Sequence, residues 1–389
     1  MVQCHKCGEQ VVLAAQFNDV IVCSDCLDKT SEMIRKTLNQ NGLTAGGNSK
    51  QGPRVYSPSQ IIEMFNQSVI GQDEAKAALA LAVSMHTRGA RGNYSSMKHN
   101  TIIMGKTGSG KTELARVLAR NLEDYPVIQV DASSWSPTGY VGLSVSSMLS
   151  MALNMANGDI EKAERSIIFI DEIDKIGRSK TSDMFKSEMV QQELLKILEG
   201  AEIPLMVKTG NQNGDREIVF NTKKILFIGA GAFEGIGEIS GLTNSKQIDL
   251  VGDSDSKEWE AKLTKDHIVK FGFTPEFVGR FTTLTKTNPI TKEMILNILK
   301  SSDQSPVKYY RDVLWDADRV RLSFADEVLD SVSEKAMKES FGVRSLKEEI
   351  LNLVKPVIMD IEKYQESQVL ITMSGPVMQE IDKKSLLSA

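Results

Sequence analysis

Short apolar runs alternate with segments of helical period through the middle of the chain. The runs predict buried β-strands at residues 101–104, 127–130, 167–170 and 225–228. Between them, apolar residues spaced three or four apart predict amphipathic helices at residues 113–122 and 190–198. Strands that alternate with helices in this way indicate an α/β fold, in which a parallel sheet carries helices on both faces.

The pattern changes outside this region and divides the chain. Residues 41–54 are rich in Gly, Asn and other polar residues and contain no apolar period, which predicts a flexible linker. Residues 234–266 have the composition of an irregular insertion, and a short apolar run at 369–373 predicts a late strand. We therefore expect a first domain at residues 1–40 and the linker at 41–54. A large domain at 55–287 and a smaller, mostly helical domain at 288–389 follow.

Composition narrows the classes of protein that are possible. Hydrophobic residues make up 41% of the chain and charged residues 25%, which is typical of a globular protein. The net charge of -5 disfavours a dedicated nucleic-acid binder, since such proteins usually carry a basic excess. No run approaches the ~18 apolar residues of a membrane helix, and the N-terminus lacks a secretory signal. We expect a cytoplasmic protein without a membrane partner.

The cysteines are clustered at the N-terminus. Cys4, Cys7, Cys23 and Cys26 are the only four, all within the first 26 residues, and the other 363 residues contain none. Two C-x-x-C pairs at this spacing predict a structural site in which four thiolates hold one Zn²⁺ tetrahedrally. Two local disulfides or a redox pair are the alternatives. A metal would also stabilise a domain of about 40 residues, whose core is marginal alone.

A glycine-rich turn follows the first predicted strand and precedes a predicted helix. It consists of Gly105, Lys106, Thr107, Gly108, Ser109, Gly110, Lys111 and Thr112. This sequence matches G-x-x-x-x-G-K-[ST] at every fixed position, in the strand–turn–helix context that a phosphate-binding loop requires. Lys111 is expected to reach the β- and γ-phosphates of ATP, and Thr112 to bind Mg²⁺.

Two adjacent acids end the third predicted strand. Asp171 and Glu172 follow the apolar run 167–170, so they lie at the carboxyl end of a buried strand, where open α/β sheets place their ligands. Asp171 is expected to hold the metal and Glu172 to orient and polarise the attacking water. The alternative for two adjacent carboxylates is a surface pair. Asp174 and Lys175 are expected to make local polar contacts.

Several further motifs occur in a fixed order and resemble those of the ClpX family over residues 56–354. They are Val69-Ile70-Gly71-Gln72, Gly139-Tyr140-Val141-Gly142, the run at 170–176, the segment Thr274–Arg280 and Gly342-Val343-Arg344-Ser345. The resemblance implies an AAA+ P-loop ATPase with a small helical lid and an N-terminal zinc module. It also implies a homo-hexamer that unfolds tagged or unfolded proteins.

The resemblance assigns roles to individual residues. Val69 and Ile70 pack on adenine, Tyr140 and Val141 grip substrate in the pore, and the two arginines act on the nucleotide. Arg280 is the arginine finger offered to a neighbouring subunit, since hydrolysis needs positive charge on the γ-phosphate. Arg344 senses the nucleotide from the lid. The residues alone leave an alternative interpretation for each of these positions. Arg280 could equally be a surface arginine, Arg344 could form a salt bridge within the lid, and Tyr140 could belong to a turn.

Three departures from the family are visible. The family's peptidase-docking tripeptide, Ile/Leu-Gly-Phe, is absent from residues 238–263, where Ile248-Asp249-Leu250 is the nearest match. Residues 207–220 lack the Arg-Lys-His loop, and Gly229-Ala230-Gly231 leaves the sensor-1 position without a polar side chain. We therefore expect weak or no binding to a ClpP-like peptidase.

Two other functions compete with an ATP-driven unfoldase. A P-loop motor that acts on nucleic acid is disfavoured because its channel needs Lys or Arg to follow the phosphates. A scaffold with a vestigial nucleotide site is disfavoured by the complete set of Lys111, Asp171, Glu172 and Arg280.

Overall fold

The chain forms two compact units, Met1–Gly52 and Pro53–Ala389. A computed structural model describes residues 2–3, 10–11, 14–17, 20–23, 52–92, 97–136, 143–177, 184–208, 215–236, 264–338 and 342–379. In the first unit, antiparallel pairing joins β1 to β2 and β3 to β4, which span Val2–Gln3, Gln10–Val11, Ala14–Phe17 and Val20–Cys23.

The second unit contains ten described strands. They are β5 (Thr101–Met104), β6 (Val127–Asp131), β7 (Ile167–Asp171), β8 (Glu202–Lys208), β9 (Asp215–Asn221), β10 (Leu226–Gly231), β11 (Thr283–Lys286), β12 (Arg321–Phe324), β13 (Gln368–Thr372) and β14 (Gly375–Gln379). Five of them form a parallel sheet in the order β11-β5-β10-β7-β6. The four predicted strands are therefore confirmed. The edge strand β11 was not predicted, because its sequence Thr-Leu-Thr-Lys has no continuous apolar run.

Helices surround this sheet and form the C-terminal part of the unit. They are α1 (Pro58–Asn66), α2 (Asp73–Gly92), α3 (Lys111–Asn121), α4 (Ser147–Met155), α5 (Ile160–Glu164), α6 (Met184–Glu199), α7 (Lys265–Phe271), α8 (Pro275–Gly279), α9 (Lys292–Ser301), α10 (Pro306–Asp318), α11 (Asp326–Lys338), α12 (Leu346–Met359) and α13 (Ile361–Tyr364). Part of the expected insertion at 234–266 is thus the start of α7. Among the helices that the structure describes, none has the length and hydropathy needed to cross a membrane.

The sheet is buried on both faces. Ile103, Phe169 and Ile228 belong to a core with α1, α2 and α3, whereas their neighbours Ile102 and Phe227 belong to a core with α4, α6, α7 and α8. Because side chains alternate across a strand, a strand covered on both sides needs apolar residues at consecutive positions. This explains the apolar runs and confirms the predicted fold class, with helices on both faces.

A separate core forms the C-terminal part, Lys292–Gln379, which we call the lid. It unites α9–α13 with the sheet β12-β13-β14. The late strand predicted at 369–373 is confirmed as β13. The two strands that pair with it were not predicted, since β12 interrupts a stretch with helical composition and β14 has no buried position.

Candidate nucleotide site

The predicted phosphate loop joins β5 to α3 at the carboxyl edge of the sheet. Gly108 and Gly110 have φ angles of 81° and 94°, in the left-handed region that favours glycine. Gly110 is the residue that precedes α3, so the helix begins at Lys111 with its amide dipoles directed at the loop. A helix N-terminus in this position attracts anions. The local backbone is therefore suited to a phosphate group.

The ammonium group of Lys111 lies inside the loop. Its Nζ donates to the carbonyl oxygen of Gly105 and, at 2.9 Å, to that of Lys106. The side chain of Lys111 is only 8% exposed, whereas that of Lys106 is exposed. Of the two lysines in the loop, Lys111 is thus the one that the fold directs toward a bound phosphate.

Thr112 and Asp171 meet although they lie 59 positions apart in the chain. Thr112 Oγ1 donates to Asp171 Oδ2 at 2.9 Å, and Gln129 Nε2 donates to the same oxygen at 3.3 Å. The other carboxylate oxygen, Oδ1, accepts the backbone N–H of Glu172 at 3.0 Å. Hydroxyl and carboxylate oxygens are the ligands that Mg²⁺ prefers, so these two side chains fit a magnesium ion beside the phosphates.

Glu172 has an unusual backbone conformation. Its φ and ψ angles are 52° and 33°, in the left-handed region. A residue with a side chain is uncommon there, and such strained positions cluster at active sites. The exposed Glu172 side chain borders the same cavity as Asp171. Its location is the one expected for a group that acts on water.

A cavity of about 320 Å³ unites residues from distant parts of the sequence. Its lining includes the phosphate loop, the two acids, and both residues of the predicted adenine segment, Val69 and Ile70. The lid contributes Ile298 and Val343. The cavity is thus lined by both apolar residues and phosphate-binding groups, a combination suited to a nucleotide.

The adenine segment is held by buried polar contacts. The Nζ of Lys76 donates to the carbonyl of Val69 at 2.6 Å and to Asn66 Oδ1 at 2.7 Å. Burial lowers the pKa of Lys76, and Asp73 partly opposes that shift. On the lid side, Ser302 Oγ donates to the carbonyl of Ser68 at 3.2 Å. Both contacts fix the backbone rather than the side chains that face the cavity.

Arg280 lies away from this cavity. Its carbonyl accepts the side-chain N–H of Asn100 at 3.0 Å, next to the amino end of β5. The phosphate loop begins at the opposite end of β5, and a strand of four residues is about 13 Å long. The guanidinium pairs with Glu199 at 2.5 Å, and both side chains are nearly half exposed. The structure therefore does not bring Arg280 to the phosphate loop of its own subunit.

Other predicted residues are described only in part. Arg344 belongs to a 3₁₀ turn, Gly342–Ser345, and its neighbours Val343 and Lys347 line the cavity. Cys23 ends β4. The remaining predicted positions lie outside the described residues; they are Cys4, Cys7, Cys26, Tyr140, Val141 and Ile248–Leu250. In the part of the chain that the structure describes, no cluster of three or more His, Cys, Asp or Glu is placed to hold a metal.

Asp174 explains the missing sensor-1 side chain. Its carboxylate accepts the backbone N–H groups of Ala232 and Phe233, each at 3.3 Å, directly after β10. A Cβ on Gly231 would lie 2.5 Å from Asp174 Oδ1, so only glycine fits there. Asp174 thus makes polar contacts, as predicted, but with residues 58 and 59 positions away along the chain rather than with local ones.

Three basic residues of the cavity were not predicted. Arg116, Lys175 and Lys347 line it together with the phosphate loop. For Lys347 a signal existed in the sequence. It lies in the first turn of α12, where the helix dipole disfavours a cation, and an anionic ligand would offset that cost.

The phosphate loop lies on a five-stranded parallel sheet, Asp171 lies at the end of β7, which β10 separates from β5, and a helical lid borders the cavity. This combination defines an AAA+ ATPase. Residues 96–284 match the family model described as AAA domain (Cdc48 subfamily). The protein hydrolyses ATP, and its cofactors are ATP and Mg²⁺.

Comparison with curated proteins specifies the family. The chain is 33% identical to the ATP-dependent Clp protease ATP-binding subunit ClpX 2 of Wolinella succinogenes, covering 95% of this chain and 94% of the relative. It is 31% identical to ClpX of Bacteroides thetaiotaomicron over 99% and 97% of the two chains, and 33% identical to ClpX of Porphyromonas gingivalis over 92% and 90%. The chain belongs to the ClpX family, as a divergent member.

Proposed function

We propose that this protein is an ATP-dependent unfoldase that works as a homo-hexameric ring and draws protein substrates through a central pore. The observation that carries the proposal is the location of Arg280. Hydrolysis needs a cation on the γ-phosphate, whereas the backbone of Arg280 contacts the amino end of β5, a strand about 13 Å long whose other end carries the phosphate loop. A neighbouring subunit in a ring brings such an arginine to the site.

Within each subunit the roles follow from the cavity. Lys111 and the loop amides bind the phosphates, Thr112 and Asp171 hold Mg²⁺, and Glu172 orients the attacking water. Val69 and Ile70 contact adenine, and Arg344 acts from the lid. The proposed domains are a zinc module at 1–40, a linker at 41–54, the ATPase domain at 55–287 and the lid domain at 288–389.

The pore loop is supported by the geometry of its flanks. Ser136 donates its backbone N–H to the carbonyl of Leu143 at 3.1 Å, and Trp135 forms a bridge with Leu143. The two ends of segment 137–142 therefore lie side by side. A loop anchored in this way can present Tyr140 and Val141 to a substrate, which an aromatic ring grips by packing without sequence selectivity.

The Tyr140→Ala variant tests this proposal. It should lose unfolding of a tagged fluorescent protein while ATP hydrolysis continues, because grip and hydrolysis use different residues. The matched control is Tyr309→Ala, which removes a lid tyrosine that is 60% exposed and should preserve unfolding. Hydrolysis stimulated by single-stranded DNA but not by an unfolded protein would instead support a nucleic-acid motor.

The N-terminal cysteines are proposed to form a zinc module. Metal analysis of the reduced protein should find one Zn²⁺ per chain. A chelator should unfold residues 1–40 and spare basal hydrolysis, since metal binding and folding are coupled in such modules while the ATPase has its own core. Circular dichroism and ATPase assays measure the two effects. Reduced protein that contains no zinc would contradict the assignment.

The partner is the part of the function in which this chain departs from its relatives. Those relatives are named as subunits of the Clp protease. In this chain, the nearest match to a docking tripeptide carries Asp249 at its centre, and burying that charge in an apolar pocket is costly. We infer that the unfoldase binds a ClpP-like peptidase weakly or works as a remodelling chaperone without one.

A further inference from the structure

A short connector, residues 287–291, leads from β11 to the first helix of the lid. Its first residue, Thr287, is 2% exposed. The backbone N–H of Thr287 donates to the carbonyl of Met104 at 2.8 Å, which extends the pairing of β11 with β5 by one residue. The connector is thereby fixed against the point where β5 ends and the phosphate loop begins.

The side chain of Thr287 reaches into the phosphate loop. Its Oγ1 donates to Ser109 Oγ at 2.8 Å, and the carbonyl of Met104 is a second acceptor at 3.4 Å. Ser109 is itself only 3% exposed. A Cβ on Gly105 would overlap the Thr287 hydroxyl. The first glycine of the loop thus provides space for this residue of the connector.

The direction of the hydrogen bond has a chemical consequence. In the shorter of these two contacts the Ser109 oxygen accepts the Thr287 proton, which leaves the Ser109 hydroxyl its own proton as a donor. Ser109 lines the nucleotide cavity, whereas Thr287 is not part of its lining. Thr287 can therefore orient a donor toward a bound phosphate without touching the nucleotide.

The next residue of the connector is tied to the adenine segment. The backbone N–H of Asn288 donates to Gln72 Oε1 at 2.5 Å, and Gln72 Nε2 donates to the carbonyl of Asn288 at 3.0 Å. Gln72 is 1% exposed and lies two residues after Ile70, which lines the cavity. Consecutive connector residues thus contact the phosphate loop and the motif Val69-Ile70-Gly71-Gln72.

We propose that Thr287 is a positioning residue for ATP binding and hydrolysis. Its hydroxyl sets the orientation of Ser109. Because Thr287 belongs to the connector that carries the lid, the phosphate loop and the lid adjust to the nucleotide together. The inference rests on the proposed assignment of residues 105–112 as the phosphate loop. It does not depend on the ring or on the pore.

The test replaces Thr287 in the full-length chain with Val, which keeps the shape and removes the hydroxyl. Titration with a fluorescent ATP analogue should show a Kd about two- to tenfold higher, the loss expected for one hydrogen bond. Thr287→Ser, which keeps the hydroxyl, should restore binding. The matched control is Thr285→Val, because Thr285 is buried on β11 two residues before Thr287 and its hydroxyl has no hydrogen-bond partner among the described residues.

A double-mutant cycle separates positioning from packing. Ser109→Ala should weaken binding at least as much as Thr287→Val, because it removes the donor itself, and adding Thr287→Val to Ser109→Ala should cause no further loss. Parental affinity in Thr287→Val, equal losses in Thr287→Val and Thr285→Val, or additive losses in the cycle would overturn the proposal. If Thr287→Val does not fold, Thr287→Ala takes its place. A parental Kd in Lys111→Ala would instead refute the assignment of the loop itself.

Discussion

Replacing Glu172 with glutamine should lower ATP turnover by about 10²–10⁴-fold and leave nucleotide binding intact. The amide has nearly the shape of the carboxylate but cannot polarise the attacking water. The left-handed backbone of Glu172 and its location on the cavity beside Asp171 give this residue access to water near the phosphates. Steady-state hydrolysis and binding of a fluorescent ATP analogue measure the two quantities separately.

Two variants make this result specific. Lys111→Ala should weaken binding itself, since its ammonium lies inside the phosphate loop. Glu113→Gln should retain most of the turnover, because that carboxylate pairs with Arg120 at 3.1 Å and with Arg116 at 3.4 Å. Hydrolysis by Glu172→Gln at the parental rate would exclude the proposed role of this carboxylate.

Replacing Arg280 with alanine should lower turnover by about 10³-fold or more, the contribution typical of an arginine finger. The fold should persist, because the pair that Arg280 forms with Glu199 is exposed and contributes about 1 kcal/mol at most. Glu199→Ala is the matched control, since it breaks the same pair and keeps the arginine. If both variants lose activity equally, the effect comes from the ion pair and Arg280 does not act as a finger.

Mixed assemblies test whether Arg280 acts in trans. Arg280→Ala subunits keep Glu172, and Glu172→Gln subunits keep Arg280, so an interface between the two types can hold both intact groups. Mixing the two inactive proteins should therefore restore part of the hydrolysis. A parental protein that is monomeric by light scattering and fully active would contradict the ring.

The nucleotide site and the connector together indicate how hydrolysis is coupled to movement of the lid relative to the sheet domain. The cavity contains residues of the sheet domain and of the lid, and connector residues contact the phosphate loop and Gln72. A ligand that binds one arrangement of these parts more tightly shifts the equilibrium between them.

Local chemistry was largely predictable from the sequence. The phosphate loop needs glycines and a lysine at fixed spacing within eight residues, and Asp171 and Glu172 follow a strand that is buried on both faces. Both signals are confined to adjacent positions of the chain. The edge strand β11 gave no such signal, because only part of it is buried and its pairing with β5 is a tertiary contact.

Contacts between distant residues were decided by the tertiary structure alone. Thr287 and Ser109 are 178 positions apart, and Gln72 and Asn288 are 216 positions apart. A single buried hydrogen bond between such residues leaves no period or motif in the sequence. The sequence by itself thus determined the α/β class and the phosphate-binding chemistry, since both depend on short-range patterns. Other features arise only when the strands and the lid pack together, because packing determines which distant side chains meet. They are the separation of Arg280 from its own site, the location of Lys347 on the cavity and the contact between the connector and the phosphate loop.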